Sequence, residues 1–119
     1  MIGGLKKMEV DALQEKTFEA IEIAKRTGKI KKGTNEVTKV AEKGRAKLVA
    51  YADDVNPKEI VMHMEPLCKE KNVPCIKVKS KEELGTAAGL SLGTSAVAIV
   101  EEGEAKKIID QITKELGAQ

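Results

Sequence analysis

The sequence contains very few aromatic side chains. Phe18 and Tyr51 are its single phenylalanine and single tyrosine, and it has no tryptophan. RRM and OB-fold proteins hold unpaired bases by stacking them on several exposed rings, so this chain cannot build either kind of surface. Any ligand must therefore be recognised through shape, hydrogen bonds and aliphatic contact.

Cysteine and histidine are scarce as well. The chain has two cysteines, Cys68 and Cys75, and one histidine, His63. Two isolated cysteines permit at most one disulfide and supply no C-x-x-C pair for zinc, so we expect both to be small buried side chains. We expect His63 to be a packing or surface residue. The sequence thus predicts no metal site, no cofactor and no catalytic residue.

Long apolar runs are absent too. No stretch approaches the roughly 18 consecutive apolar residues of a membrane-spanning helix, and the N-terminus lacks the apolar core of a secretory signal. We therefore expect a cytoplasmic protein with no membrane contact. At 119 residues, with 41% hydrophobic and 34% charged residues, the chain has the size and composition of one folded domain over residues 1–119.

Positive charge is concentrated in one segment. Residues 25–47 include nine basic residues and two acidic ones, whereas the formal net charge of the whole chain is only +2. The remainder is therefore net acidic. A localised basic segment is typical of a surface that binds a polyanion, although a solvated face of lysines would give the same pattern.

Helix and strand patterns alternate along the chain. Apolar residues at helical spacing predict helices over about 9–27, 35–43 and 104–116, and a capping box formed by Ser80 and Glu83 predicts a short helix over 80–88. Strand patterns occur at 47–52, 73–78 and 96–100, with a brief strand or extended loop at 29–32. This alternation predicts an α/β fold, namely a single three-layer α/β/α sandwich around a mixed, mostly four-stranded sheet.

A further helix is predicted to begin at Asn56. Asparagine is a favoured N-cap residue, and Pro57 suits the first helical position. This helix would carry Ile60 and later apolar residues through Cys68 toward the core, with a break or kink at Pro66.

The sequence GTNEVTK at residues 33–39 joins the short basic strand pattern at 29–32, which ends at Lys32, to the second helix. Gly33 allows a tight turn and close approach by a partner, and Thr34 is predicted to be the N-cap. The free backbone N–H groups of the first helical turn suit a phosphate, which makes this junction the candidate binding site.

Two side chains in this motif offer groups that can read a base edge. Asn35 provides a donor and an acceptor, and Glu36 provides acceptors. Because a carboxylate repels phosphate, Glu36 favours base recognition over general backbone binding. The same residues also fit a well-capped helix start in which Lys39 pairs with Glu36 or Glu42.

These residues resemble a known family. GTNEVTK at 33–39 matches the signature of the kink-turn-binding family of ribosomal proteins, and LGTAAG at 84–89 and AVAI at 96–99 match the same family. The resemblance covers nearly the whole chain and is closest to the archaeal large-subunit branch, of the seven-Ae type. Together these motifs are specific, although either alone would be a weak signal.

The resemblance implies binding to a kink-turn, an RNA bend built on tandem sheared G·A pairs beside an extruded nucleotide. Asn35 and Glu36 would contact the sheared guanines, with support from Lys39. The other RNA-binding residues that it implies are Lys32, Gly33, Thr34 and Thr38 around that contact, and the apolar loop Leu90, Ser91 and Leu92 against the extruded base. For this loop, ordinary packing between a loop and a strand remains an alternative.

The resemblance also implies partners. Archaeal members serve the large ribosomal subunit by binding ribosomal RNA, the box C/D and H/ACA guide ribonucleoproteins, and ribonuclease P, which acts in tRNA processing. A protein of this kind would be a monomer before assembly with its RNA and with ribonucleoprotein partner proteins.

Two other functions remain open from the residues alone. Asp53 and Asp54 follow the strand at 47–52, where α/β sheets often place active sites, and could hold magnesium in a small metal-dependent enzyme. No nucleophile with an adjacent base accompanies them, and acids are also favoured just before a helix. Alternatively, the basic segment could make the chain a protein-interaction module that docks an acidic partner.

Overall fold

A computed structural model describes residues 7–117, and the side chains of residues 12–116. Its strands are β1 Lys29–Lys32, β2 Leu48–Ala52, β3 Cys75–Val78 and β4 Ala96–Glu101. They form one sheet in the order β1-β4-β2-β3. β2 runs parallel to β3, whereas the β2–β4 and β1–β4 pairs are antiparallel, so the predicted four-stranded mixed sheet is confirmed.

Helices cover both faces of this sheet. They are α1 Lys7–Thr27, α2 Thr34–Glu42, α3 Met64–Glu70, α4 Lys81–Ala87 and α5 Lys106–Gly117, with short 3₁₀ helices at Lys58–Ile60 and Gly103–Ala105. α1 packs against α4 and α5, whereas α2 packs against α3. Every residue of β2 is buried, which requires cover on both faces. The predicted three-layer sandwich is therefore confirmed.

The sequence of each strand matches its place in the sheet. The central strand β2 reads LVAYA and is buried throughout, and the first four residues of β4, AVAI, are buried as well. The edge strand β1 reads KIKK, and its lysines are exposed. Lysines on an edge strand discourage pairing with another chain, and they place positive charge where a ligand can reach it.

Within residues 7–117, none of the helices combines the length and the apolar character that crossing a membrane requires.

The helix predicted to begin at Asn56 is wrong in its first half. Residues 58–60 form a 3₁₀ helix, and α3 begins only at Met64. The reason is Pro66, because the ring and the missing N–H of a proline are tolerated only in the first turn of a helix. α3 therefore begins two residues before Pro66, and no kink is needed. Ile60, predicted to point toward the core, is 39% exposed, whereas Cys68 is buried.

The two cysteines are free thiols. Cys68 on α3 is buried, and Cys75 at the start of β3 is half-buried. A hydrogen bond between the thiols, together with burial, raises the pKa of Cys75, and the same hydrogen bond lowers the pKa of Cys68. The prediction of a small buried side chain is therefore confirmed fully for Cys68 and only in part for Cys75.

Candidate nucleic-acid interface

The turn between β1 and α2 lies directly beside the start of β4. In the β1–β4 pairing, Lys32 is opposite Val97. One residue further along, the Gly33 N–H donates a hydrogen bond of 2.9 Å to the carbonyl oxygen of Ala96. This bond extends the pairing by one residue, so the sheet itself fixes the first turn of α2.

Gly33, rather than Thr34, is the N-cap of α2, so the predicted capping role of Thr34 is wrong. The backbone of Gly33 has φ +90° and ψ 147°, a conformation that residues with a Cβ rarely adopt. No described atom lies within 4 Å of a Cβ built at this position. The chain therefore needs a glycine here for its backbone, and the space above it is open to a ligand.

The first turn of α2 has no side-chain cap. The N-cap residue, Gly33, has no side chain that could accept a hydrogen bond from the helix. No other described side chain accepts one from the backbone N–H of Asn35 or Glu36. Uncapped N–H groups at a helix N-terminus carry the positive end of the helix dipole. They are therefore available to an acceptor supplied by a ligand.

The side chains of Asn35, Glu36 and Lys39 are exposed around this turn. Among the described side chains, Lys39 forms an ion pair with neither Glu36 nor Glu42. The alternative from the sequence, in which Lys39 neutralises one of these acids within the helix, is therefore wrong. Lys39 follows Glu36 by three positions and Asn35 by four, so its ammonium group neighbours both the carboxylate and the carboxamide on the helix surface.

Thr38 is held by a residue from another element. Its Oγ1 atom lies 2.8 Å from Nε2 of His63, the N-cap residue of α3. His63 is thus a surface residue, as predicted, but it has a hydrogen-bonding partner that the sequence did not reveal. This contact joins α3 to α2 at the rim of the candidate site.

The loop after α4 presents an exposed leucine. Leu92 is 78% exposed, Ser91 is exposed, and Leu90 is half-buried against the core. Packing between loop and core therefore accounts for Leu90 but not for Leu92. A large apolar side chain in solvent gains free energy when a ligand covers it.

The backbone of this loop is nevertheless firmly attached to α4. The N–H of Leu90 donates to the carbonyl of Gly85 at 2.8 Å, and the N–H of Thr94 donates to the carbonyl of Lys81 at 3.0 Å. A Cβ added to Gly85 would overlap the carbonyl oxygen of Leu92. The glycine therefore allows the loop to lie directly on the helix.

A side-chain contact joins the loop to the start of α2. The Thr34 and Ser95 hydroxyl oxygens are 2.5 Å apart. The structure thus brings together the two separated segments that the sequence predicted as one site. We call the surface formed by residues 32–39 and 90–95 the α2–loop face.

All nine basic side chains of residues 25–47 are exposed. Lys32 ends β1 at the α2–loop face, and Lys25, in the last turn of α1, lies against Gly89 where the loop begins. The basic segment therefore contributes positive charge at both ends of this face.

Asp53 and Asp54 have structural partners. An Oδ1 atom of Asp54 accepts a hydrogen bond of 2.9 Å from the backbone N–H of Lys81, the first residue of α4. Asp53 pairs with Lys58 at 3.9 Å. No group of three or more potential metal-ligating side chains occurs in the part of the chain that the structure describes.

A family model described as the ribosomal protein L7Ae/L30e/S12e/Gadd45 family matches residues 15–109, which is most of the chain. This chain belongs to that family. The match spans the α2 motif and the loop after α4, and it confirms the family resemblance inferred from the residues. Among solved structures, the L7Ae-type fold recurs in a Giardia lamblia 15.5kD RNA binding protein with a TM-score of 0.84 and 30% sequence identity, covering 90% of this chain and 89% of that one.

Within this L7Ae-type fold, sequence reasoning missed two residues of the α2–loop face and its rim. His63 contacts Thr38 across 25 positions, and Ser95 contacts Thr34 across 61. No local pattern signals either contact, because one depends on how β1 pairs with β4 and the other on how α2 packs against α3.

Proposed function

We propose that this L7Ae-family protein binds kink-turn RNA through the α2–loop face and has no catalytic activity of its own. The observation that carries the proposal is the uncapped first turn of α2, with Asn35 and Glu36 exposed beside it. RNA binding is further supported by family membership and by the likeness to the Giardia lamblia 15.5kD RNA binding protein.

The chemistry of this turn suits base recognition better than phosphate binding alone. A guanine edge carries N–H donors, for which the Glu36 carboxylate is an acceptor. The Asn35 amide can donate and accept at the same time, and Lys39 adds a positive charge for guanine or phosphate. Tandem sheared G·A pairs expose guanine edges that Watson–Crick pairing would occupy.

The apolar loop would cover the extruded nucleotide. Leu92 offers an unpartnered aliphatic surface, and the Thr34–Ser95 contact holds the loop beside the base-reading turn. With so few aromatic rings in the chain, aliphatic contact takes the place of stacking.

Finer assignments extend the same proposal. The RNA would be ribosomal RNA of the large subunit, a box C/D or H/ACA guide RNA, or the RNA of ribonuclease P, bound by a cytoplasmic, archaeal-type monomer before ribonucleoprotein proteins assemble on it. Crosslinking in cells followed by sequencing of the attached RNA identifies which of these targets dominates.

The decisive test compares a kink-turn RNA with the same RNA in which G·A pairs are replaced by Watson–Crick pairs. We expect Glu36→Ala to reduce the preference for the kink-turn by about 1–3 kcal/mol, or roughly fivefold to more than a hundredfold, in gel shift or filter binding. Glu42→Ala is the matched control, because it removes an exposed carboxylate from the same helix, away from its first turn.

A second variant tests how much positive charge alone contributes to RNA binding. Lys31→Ala should weaken binding to both RNAs alike and reduce the dependence of affinity on salt, since an exposed lysine on β1 offers charge without base recognition. Full preference for the sheared-pair RNA after Glu36→Ala would show that the base-reading role of Glu36 is wrong.

A further inference from the structure

A groove of about 670 Å³ runs between α1 and α4. Gln14 and Lys79 lie at one end of it, where the Gln14 side chain accepts a hydrogen bond of 2.8 Å from the Lys79 backbone N–H. Beyond its other end, Lys25 of α1 lies against Gly89 at the end of α4. The two helices therefore run in parallel, and the groove points toward the loop of the α2–loop face.

The floor of the groove is apolar. Phe18, the only phenylalanine of the chain, is half-buried there, and Ala87 of α4 is buried beside it. A half-buried ring still presents apolar area that a partner can cover, and such anchors dominate the energetics of protein interfaces.

The rim of the groove is acidic. Four exposed carboxylates line it, those of Glu15, Glu22, Glu82 and Glu83, against one basic lining residue, Lys79. None of these carboxylates forms an ion pair with a described side chain. The sign of the charge is opposite to that of residues 25–47, so the groove repels RNA and attracts cations.

We propose that this groove docks a Lys/Arg-rich amphipathic helix of a partner protein, with a large apolar side chain seated on Phe18. From Gln14 to Glu22 the part of α1 that lines the groove extends about 12 Å, at about 1.5 Å per residue, which matches about two turns of a bound helix. An apolar floor with a charged rim is typical of helix-in-groove recognition. Because the rim is acidic, it favours a partner helix whose apolar face is flanked by positively charged residues.

The position of the groove connects this partner to RNA binding. A helix seated between α1 and α4 would reach the loop that begins at Leu90, without occupying the first turn of α2. A basic partner there would be attracted by the acidic rim and by the phosphates of RNA on the neighbouring face. Protein and RNA would thus bind side by side.

The test uses the full chain and a fluorescently labelled synthetic peptide of about 14 residues, a lysine- and leucine-based amphipathic helix. A second peptide carries serine in place of every leucine. We expect the first peptide to bind, and the Glu22→Gln/Glu82→Gln double variant to lose about tenfold or more in affinity by fluorescence anisotropy. The control double variant, Glu70→Gln/Glu104→Gln, removes two exposed carboxylates outside the groove and should change affinity less than about twofold.

Kink-turn RNA affinity should be the same in both double variants, so failure of this proposal is distinct from failure of the RNA-binding proposal. Equal losses in the two double variants, or equal binding of the serine peptide, would mean that general charge attraction is at work and would overturn the docking site. Self-association that the groove variant abolishes in sedimentation experiments would assign the groove to a second copy of this chain instead.

Discussion

The two halves of the α2–loop face are built differently. At the start of α2, the polar groups are positioned by the sheet and by a neighbouring helix, through the Gly33–Ala96 and Thr38–His63 contacts. In the loop, the backbone is held by α4 and Ser95 contacts Thr34, but the side chain of Leu92 is 78% exposed and has no such partner among the described residues. In the proposed RNA complex, the groups that would meet a base edge at a fixed angle lie on the α2 half, which we call the rigid half. The nondirectional apolar contact would fall to a side chain that can adapt.

The largest effect should come from disturbing the rigid half at its turn. Gly33→Ala places a Cβ on backbone at φ +90°, which costs about 1–3 kcal/mol of stability or shifts the first turn of α2. Because the groups proposed to read the bases, Asn35 and Glu36, follow directly along the chain, we expect kink-turn affinity to fall about tenfold or more. Chemical denaturation and RNA binding by filter assay measure the two effects.

Gly44→Ala is the matched control for that substitution. Gly44 has φ +69° and open space around its Cα, but it follows the end of α2 rather than preceding its start. We expect it to lose about 1 kcal/mol of stability with unchanged RNA affinity. If both variants lose RNA affinity equally, global destabilisation, and not the geometry of the turn, explains the loss.

The apolar half should show a smaller effect of a different kind. Leu92→Ser removes aliphatic area that RNA would cover, worth about 1 kcal/mol or roughly fivefold in affinity, with no change in stability because the side chain is exposed. The dependence on salt should not change, since no charge is lost. Isothermal titration at two salt concentrations measures both quantities.

Met62→Ser is the corresponding control. Met62 is 66% exposed, so it is also a large apolar side chain in solvent, but it lies outside residues 32–39 and 90–95. RNA affinity should be unchanged in this variant. An equal loss at Met62 and Leu92 would mean that the loop has no special contact with the extruded nucleotide.

Local patterns were sufficient to predict most of the fold. β2 and the first five residues of β4 are uninterrupted apolar runs, and Ser80 caps α4 by accepting a hydrogen bond from the Glu83 N–H at 3.2 Å, as the sequence indicates. The same logic failed at Asn56, where a good start signal was overridden by Pro66 ten residues later. Cap signals are local, whereas the length of a helix depends on every residue it must include.

The candidate site divides in the same way. Its chemistry-bearing residues lie in one contiguous motif, which is enough to predict them, whereas Leu92 is implied only by the family resemblance. The contacts that position them, Thr34 with Ser95 and Thr38 with His63, cross from one element to another. They follow from the β1–β4 pairing and from the packing of α2 on α3, neither of which a linear pattern contains. For this reason the sequence predicts a capping role for Thr34, whereas in the structure this residue joins two segments.

The smallest expected effect concerns the contact between Thr34 and Ser95. Thr34→Val removes the hydroxyl contact with Ser95 while keeping the shape of the side chain, so the loop should lose part of its attachment to α2. One hydrogen bond of this kind contributes about 0.5–1.5 kcal/mol, and we expect a two- to threefold loss of kink-turn affinity. A double-mutant cycle with Ser95→Ala measures the coupling. If the two halves act together, the losses of RNA affinity are not additive, and Ser95→Ala causes no further loss in the Thr34→Val background. Additive losses of affinity would mean that each half binds RNA independently.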